Sequence, residues 1–274
     1  MNALTFDVEE WFQVNCLRNV ASDREDELES RVVEQTRKVL SILDEYDAKA
    51  TFFLLGKVCE EHPELAIQII EGGHEVASHG FGHQKVYEMT ENEFTLDIDA
   101  SIKSIESACG VKPIGYRAPN FSVTNDCNWI FDVLKEKGFS YDSSIYPSRI
   151  VNLNAPSKPT SLTKMSNGLW EVPGSTKSIL GFRVPYGGGV FLRNKPYYLT
   201  KRLIKKENKK NQMTVTYMHP WELDPHHPKI PCSLKARVIH YSGLNHGEKI
   251  LRNLLKDFEF KPIKEIINEQ REEY

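Results

Sequence analysis

The chain has 274 residues, 40% of them hydrophobic, which is enough for one substantial core and for an α/β barrel built as a single domain. Its 35 basic and 38 acidic residues leave a net charge of −3, without the basic excess that marks a nucleic-acid binder. No apolar run reaches the roughly 18 residues of a membrane span, and the start MNALTFDVEEW lacks the basic and apolar regions of a secretion leader. Cys16, Cys59, Cys109, Cys127 and Cys232 are scattered singly, which argues against a disulfide framework and a thiolate zinc site. Free buried thiols in a reducing, cytoplasmic compartment are expected.

In chain order, ALTF reads as a first strand, and Leu28 to Tyr46 as a helix with apolar positions at Val32, Val33, Val39, Leu40 and Leu43. KATFFLLG is a strand stopped by glycine. PELAIQIIEGG is a helix with proline near its start and glycines at its end. HEVASHG is the next strand. Thr90 and Glu93 form a capping box for a helix that lines up Phe94, Ile98, Ile102 and Ile105. PIGYRAP (strand), DCNWIFDVLKEKG (helix), FSYDSSIY (strand) and LWEVPGS (strand) follow. Pro196 to Lys206 reads as a helix, MTVTYMHP as a strand and Leu244 to Phe258 as a final helix. Alternating βα units imply a parallel sheet covered by helices. With about seven units the expectation is a barrel, whose chemistry sits where strands end and loops begin.

The reactive residues follow that rule. Asp7 and Glu9 follow ALTF, His79 and His83 follow HEVAS, Arg117 ends PIGY, Asp142 lies in SYDSS, and His219 ends TVTYM. Two histidines four apart can present nitrogens to one ion, and glycines at 80 and 82 allow the backbone to fold closely around it. HxxxH alone is a weak signal, so a third ligand is needed. Asp7 and Glu9, two apart on an extended strand end, point to the same side. One can bind a metal and the other act on a proton, which gives the pattern of two histidines, one carboxylate and an open position for water.

These segments resemble the polysaccharide deacetylases of carbohydrate esterase family 4. TFDVEE, SHGFGH, YRAPNF, YDSSIYP and TYMHPWELDP resemble the family's five motifs, in order along nearly the whole chain. The stretch from HPWELDP through HYSGLNHGEKILRNLLKDFEF resembles a subgroup encoded with bacterial exopolysaccharide and surface-glycan genes. The resemblance implies a distorted (β/α)7 barrel in one catalytic domain over 1–274, with 219–274 a subgroup-specific segment packed on the barrel. It implies metal-assisted hydrolysis of an N-acetyl group on an amino sugar of a surface polysaccharide or its precursor. Asp7 would be the general base for the attacking water, and Arg117 would hold it ionised. Glu9, His79 and His83 would bind one divalent ion, Zn2+ first, with Co2+, Ni2+ or Mn2+ as alternatives. The backbone of Asn120 would stabilise the oxyanion, and His219 would protonate the leaving amine. Phe121, Trp221, Tyr146 and Asp142 would shape the substrate site.

Three positions depart from the family pattern. Val8 stands where many members carry a liganding aspartate, so the carboxylate ligand is Glu9 or, less favourably placed, Glu10. Gly80 replaces a Ser or Thr, whose hydrogen bond Ser78 can supply. Ile145 precedes Tyr146 where some members have an aspartate that tunes the acid histidine, which leaves Asp142 or Glu171 for that task. Blander readings stand beside these: Arg117 as a structural ion pair, Asp142 as a turn former, His219 as a buried strand end. Trp221 doubles as a sugar platform or as local loop structure with Glu222 and Asp224. His226 and His227, between prolines, read as a rigid loop. Gly187 to Gly189 lack the ending of a phosphate loop and read as a tightly folded segment or a lid. KRLIKKENKK is a solvated helix face, with an anionic lipid-phosphate carrier or acidic glycan as a secondary partner. Two other activities remain compatible with the motifs: hydrolysis of a cyclic amide, and glycan binding by a degenerate site.

Overall fold

In the computed structural model, which describes residues 1–272, the first strand, β1 (Asn2–Val8), is buried along its whole length. The last two residues of the domain expected over 1–274 lie outside the described residues. The two-residue period of β1 separates two environments. Leu4, Phe6 and Val8 point into the core beneath the helices Val32–Glu45, Pro63–Glu71 and Gly247–Asp257. Ala3 points to a second cluster with Phe53, Ala77, Tyr141, Val172 and Val215 in the barrel interior. Thr5 and Asp7 share that inner face, where both meet Arg117.

The remaining strands are β2 (Thr51–Leu54), β3 (Glu75–Ser78), β4 (Gly115–Tyr116), β5 (Tyr141–Asp142), β6 (Thr163–Lys164), β7 (Trp170–Glu171), β8 (Thr176–Ile179), β9 (Phe182–Pro185) and β10 (Thr214–Met218). One sheet runs β10-β1-β2-β3-β4-β5-β7-β6, with seven parallel strands and β6 antiparallel to β7 at the end. This is the distorted (β/α)7 half-barrel that the family resemblance implies, and it agrees with the barrel expected from the alternation. β8 and β9 form a separate hairpin, which the sequence reading missed together with β6. It also missed the helices Gly56–Glu61, Leu234–Tyr241 and Ile263–Glu272.

The open side between β7 and β10 is closed by irregular chain. The Val215 N–H donates to Ser175 Oγ at 2.8 Å, the Tyr217 N–H donates to Gly187 O at 2.9 Å, and Gly188 bridges Tyr217 in parallel. A Cβ on Gly187 would lie 2.3 Å from Val215 O, and one on Gly188 would lie 2.2 Å from the Tyr217 ring. The glycine run is therefore the tightly folded alternative and not a lid: it is the seam of the barrel.

The C-terminal helix Ile263–Glu272 plugs the other end. Its Ile263, Ile266 and Ile267 pack in the interior cluster. The Ile263 N–H donates to Thr51 Oγ, and the Lys264 N–H donates to Glu75, at the N-terminal ends of β2 and β3. The plug leaves the C-terminal ends of the strands as the open face. All five cysteines are free, as expected, but only Cys59 and Cys127 are buried. The lysine-rich helix Tyr197–Asn208 buries Thr200 and Ile204 and exposes Arg202, Lys205 and Lys206, a solvated face.

Candidate metal and catalytic site

The loop after β1 and the loop after β3 meet over the barrel mouth. Glu9, His79 and His83 are all buried there, and one ligand atom from each lies within 4.8 Å of the others. Glu9 Oε2 is 2.6 Å from His83 Nε2 and 3.8 Å from His79 Nε2. His79 Nδ1 donates to Arg117 O at 2.8 Å, which leaves Nε2 with its lone pair facing the group. His83 Nε2 is buried and makes no directed hydrogen bond. The three atoms are close enough together to serve as donors to one divalent cation. Burial pushes His79 down to about 4, so it is neutral and ready to coordinate. Burial alone would raise Glu9, but His83 and His219 hold it at about 2, ionised. Two imidazoles and a carboxylate fit a divalent metal.

The SHGFGH loop is supported from behind. Ser78 Oγ accepts from the Gly80 N–H at 3.1 Å, as the sequence suggested, and pairs with Ser101 at 2.7 Å. Asp97, which the sequence did not single out, accepts from the N–H groups of Phe81 and Gly82. Gly80 has φ +78, and a Cβ there would lie 2.8 Å from Asp97 Oδ2. Glycine at 80 is thus a fitted residue. Gly82 is different: a Cβ there meets nothing within 4 Å and its φ is not positive, so the expected need for glycine at 82 is corrected.

The choice between the two glutamates is resolved by their partners. Glu10 accepts from the Ser30 hydroxyl and from the N–H groups of Arg31 at 3.0 Å and Val32 at 3.4 Å. It caps the helix Val32–Glu45, and its alternative role as metal ligand is set aside. Val8 cannot join this group, because its position in β1 belongs to the helix-side core.

Asp7 and Arg117 form a buried pair at 2.6 Å. Arg117 is fully buried, and its guanidinium also donates to the hydroxyl of Thr5 at 2.8 Å and to Ser143 O and Oγ. Its Cζ sits 4.0 Å over the Phe53 ring. With this many fixed partners, Arg117 is both a structural strut and the group that orients Asp7.

On the opposite side, His219 Nδ1 is 2.6 Å from Glu222 Oε1, and Glu222 Oε2 is ion-paired with Arg193 at 2.8 Å. Burial would lower the imidazole, but Glu9 and Glu222 raise it to about 9. The residue that tunes His219 is therefore Glu222, and the expectation of Asp142 or Glu171 is corrected. Asp142 is fully buried, accepting from the Ser144 N–H at 2.9 Å and its hydroxyl at 2.5 Å. The Ser144 hydroxyl oxygen in turn accepts from the Ala118 N–H. Asp142 braces the turn before Asn120 from behind and does not face substrate. Burial and the Asp142 charge push its neighbour Glu171 well above the carboxylate range.

Asn120 and Phe121 hold two successive left-handed conformations, at φ +57 and +50. Asn tolerates this and Phe does not, so the turn is strained and held by its surroundings. Asn152 Nδ2 donates to the carbonyls of Phe121 and Val123, and Asn120 Oδ1 accepts from the Asn15 N–H. Phe121, Tyr146 and Tyr217 pack edge to face at 4.8 to 5.9 Å. Tyr146 is almost wholly buried, a wall behind the site and not a surface that touches ligand. Trp221 is also buried. It stacks on His219 and donates from Nε1 to Glu9 Oε1 at 3.3 Å, so it supports both groups and is no open platform. His227, in the loop read as rigid, is buried too, with Nε2 3.1 Å from that of His240.

Two hollows open beside the group. One is bordered by Phe12, Gln13, Arg18, Glu25, His83 and Gln84. The other is bordered by Asn15, Tyr87, Asn120, Trp129, Asn152 and Leu153. Gln13, Arg18, Tyr87 and Trp129 escaped the sequence reading because they lie outside the recognisable motifs; the exposed aromatic Tyr87 was the available signal.

The polysaccharide deacetylase family matches residues 3–141, just over half of the chain. The chain belongs to the polysaccharide deacetylase family. A second family, described as a domain of unknown function (DUF3473), matches residues 143–268, the part that carries β6 to β10 and His219. The peptidoglycan deacetylase of Helicobacter pylori is 32% identical over 108 residues, which are 39% of this chain and 36% of that protein. A peptidoglycan-N-acetylglucosamine deacetylase of Bacillus cereus is 28% identical over 126 residues, 40% of this chain and 45% of that protein. The chain thus spans less than half the length of these polysaccharide deacetylase relatives. In fold it is similar to a crystal structure assigned as a polysaccharide deacetylase from Mycobacterium smegmatis, with TM-score 0.62, 21% identity, and coverage of 99% of this chain and 90% of the other.

Proposed function

We propose that the chain is a metal-dependent hydrolase that removes acetyl groups from an N-acetylated amino sugar of a surface glycan or its precursor. One observation carries this reading: Glu9, His79 and His83 cluster at the strand ends that also carry the Asp7–Arg117 pair and the His219–Glu222 pair, with His219 Nε2 3.6 Å from Glu9 Oε1. A divalent ion, Zn2+ in the first instance, would lower the pKa of a water and polarise the acyl oxygen. Asp7, fixed through Oδ1 by Arg117, accepts the proton of the attacking water. The strained turn at Asn120 presents backbone N–H to the developing oxyanion. His219, held protonated by Glu9 and Glu222, donates to the leaving nitrogen. Water and amide become acetate and amine. The names of the relatives support the substrate class, since one is a peptidoglycan deacetylase and the other a peptidoglycan-N-acetylglucosamine deacetylase.

The test is acetate release from short N-acetylglucosamine oligomers by metal-stripped protein, before and after a divalent ion is restored. The expected result is release only after restoration. Release that chelation leaves unchanged, or none from the restored protein with any N-acetylated glycan offered, contradicts the reading.

A further inference from the structure

Neither the barrel nor the site explains the tip of the hairpin β8–β9. Ile179 pairs with Phe182 across a two-residue turn, with Leu180 at φ +48 and Gly181 at φ +83. Such turns favour Asn, Asp or Gly at the first position, because bulky side chains are strained there. Here a leucine occupies it, 93% exposed, flanked by Ile179 at 51% and Phe182 at 73%. A strained backbone and a wetted apolar side chain coincide at one residue, and no packing within the described chain offsets either. The Ser148 hydroxyl donates to Arg183 O at 2.7 Å, which ties the hairpin to the loop carrying the exposed Ile150 and Leu153. Leu153 also borders the hollow that contains Asn120.

The segment that carries the tip is basic. From Ser143 to Lys206 the sequence carries eleven Lys and Arg and a single acid, Glu171, which is buried, in a chain whose net charge is −3. Arg193, Lys177 and Lys201 are paired with Glu222, Glu207 and Asp257. Lys158 and Arg183 border a surface hollow with Ser157, Thr160, Thr163 and Ser166, and no carboxylate lines it. Arg149 is exposed beside Ile150. An apolar tip set in basic and hydroxyl groups matches the boundary of an anionic bilayer, apolar below and phosphate above. A second copy of the chain would set this positive collar against itself.

We propose that the hairpin β8–β9 is a membrane-surface anchor. Ile179, Leu180 and Phe182 enter the boundary of headgroups and acyl chains, and Arg149, Lys158 and Arg183 meet lipid phosphates. The anchor holds the barrel mouth toward the lipid surface, where a lipid-borne substrate would be presented. It stands on observations independent of the deacetylase reading.

The test is sedimentation of the full chain with phosphatidylglycerol-containing vesicles and with pure phosphatidylcholine vesicles. Wild type is expected to bind the anionic vesicles, with affinity reduced about tenfold or more on neutral lipid or at high salt. Leu180→Asn suits the left-handed turn, so its melting temperature should stay level or rise while vesicle binding falls about tenfold or more. Arg183→Glu combined with Lys158→Glu should weaken binding to anionic lipid selectively. Absence of wild-type binding, or equal binding by Leu180→Asn, overturns the proposal. So does a wild-type dimer in sedimentation velocity that Leu180→Asn disperses without any vesicle binding.

Discussion

Glu9 and Glu10 are chemically identical neighbours with different tasks, and only their partners distinguish them. Glu10 gathers the Ser30 hydroxyl and two backbone N–H groups at the start of a helix, where an anion also suits the helix dipole. Glu10→Ala is therefore expected to keep the metal and lose about 1–2 kcal/mol of stability in denaturant titration; loss of metal with unchanged stability would reverse the assignment. His74 gives a second residue-level prediction. Its Nδ1 accepts from the Ala50 N–H at 3.3 Å, and burial pushes it from 6.5 down to about 4. Because the unfolded chain takes up the proton first, the stabilisation from neutral His74 is complete above about pH 6.5 and is lost as pH falls toward 4. The melting temperature of wild type should exceed that of His74→Gln most at neutral pH, and the gap should shrink through this window. A gap independent of pH would show that the imidazole is not held neutral.

At the scale of elements, the loop after β3 makes a sharp contrast between two glycines. Gly80→Ala meets Asp97 and a left-handed backbone and should lose about 1–3 kcal/mol together with metal affinity. Gly82→Ala meets open space and should change stability by no more than about 0.5 kcal/mol. Equal effects in metal titration and denaturation would refute this account of the loop. The long periodic elements were legible in the sequence: the Thr90–Glu93 capping box forms as read, and β1, β2, β3 and β10 lie where the apolar runs place them. β4 shrinks to two residues because the chain leaves it for the strained turn at Asn120. The β8–β9 hairpin was illegible because ILGF carries no Asn-Gly or Asp-Gly signal, and its leucine breaks the rule by which such turns are found. The glycine run at 187–189 was ambiguous because its use depends on Tyr217 and Val215, residues that only the fold brings beside it.

Over the whole molecule, one end is plugged by the helix Ile263–Glu272 and the other carries Asp7, Glu9, His79, His83, Arg117 and His219. Their convergence was readable because strand ends place chemistry on one face of a barrel. What surrounds them was not. Asp97 and Arg193 act through tertiary contacts that carry no spacing signal, Glu222 stands only three residues after His219 but reads as local loop structure, and burial withdraws Trp221, Tyr146 and Asp142 from the substrate face. The account rests on Glu9, His79 and His83 holding an ion. The most direct test is elemental analysis of wild type, Glu9→Ala, His79→Ala and Glu10→Ala, purified identically and offered zinc, cobalt, nickel or manganese. The account predicts about one ion per chain in wild type and Glu10→Ala, and little in the other two. A wild type that takes up none of these metals, or a Glu9→Ala protein that retains its ion, would contradict it.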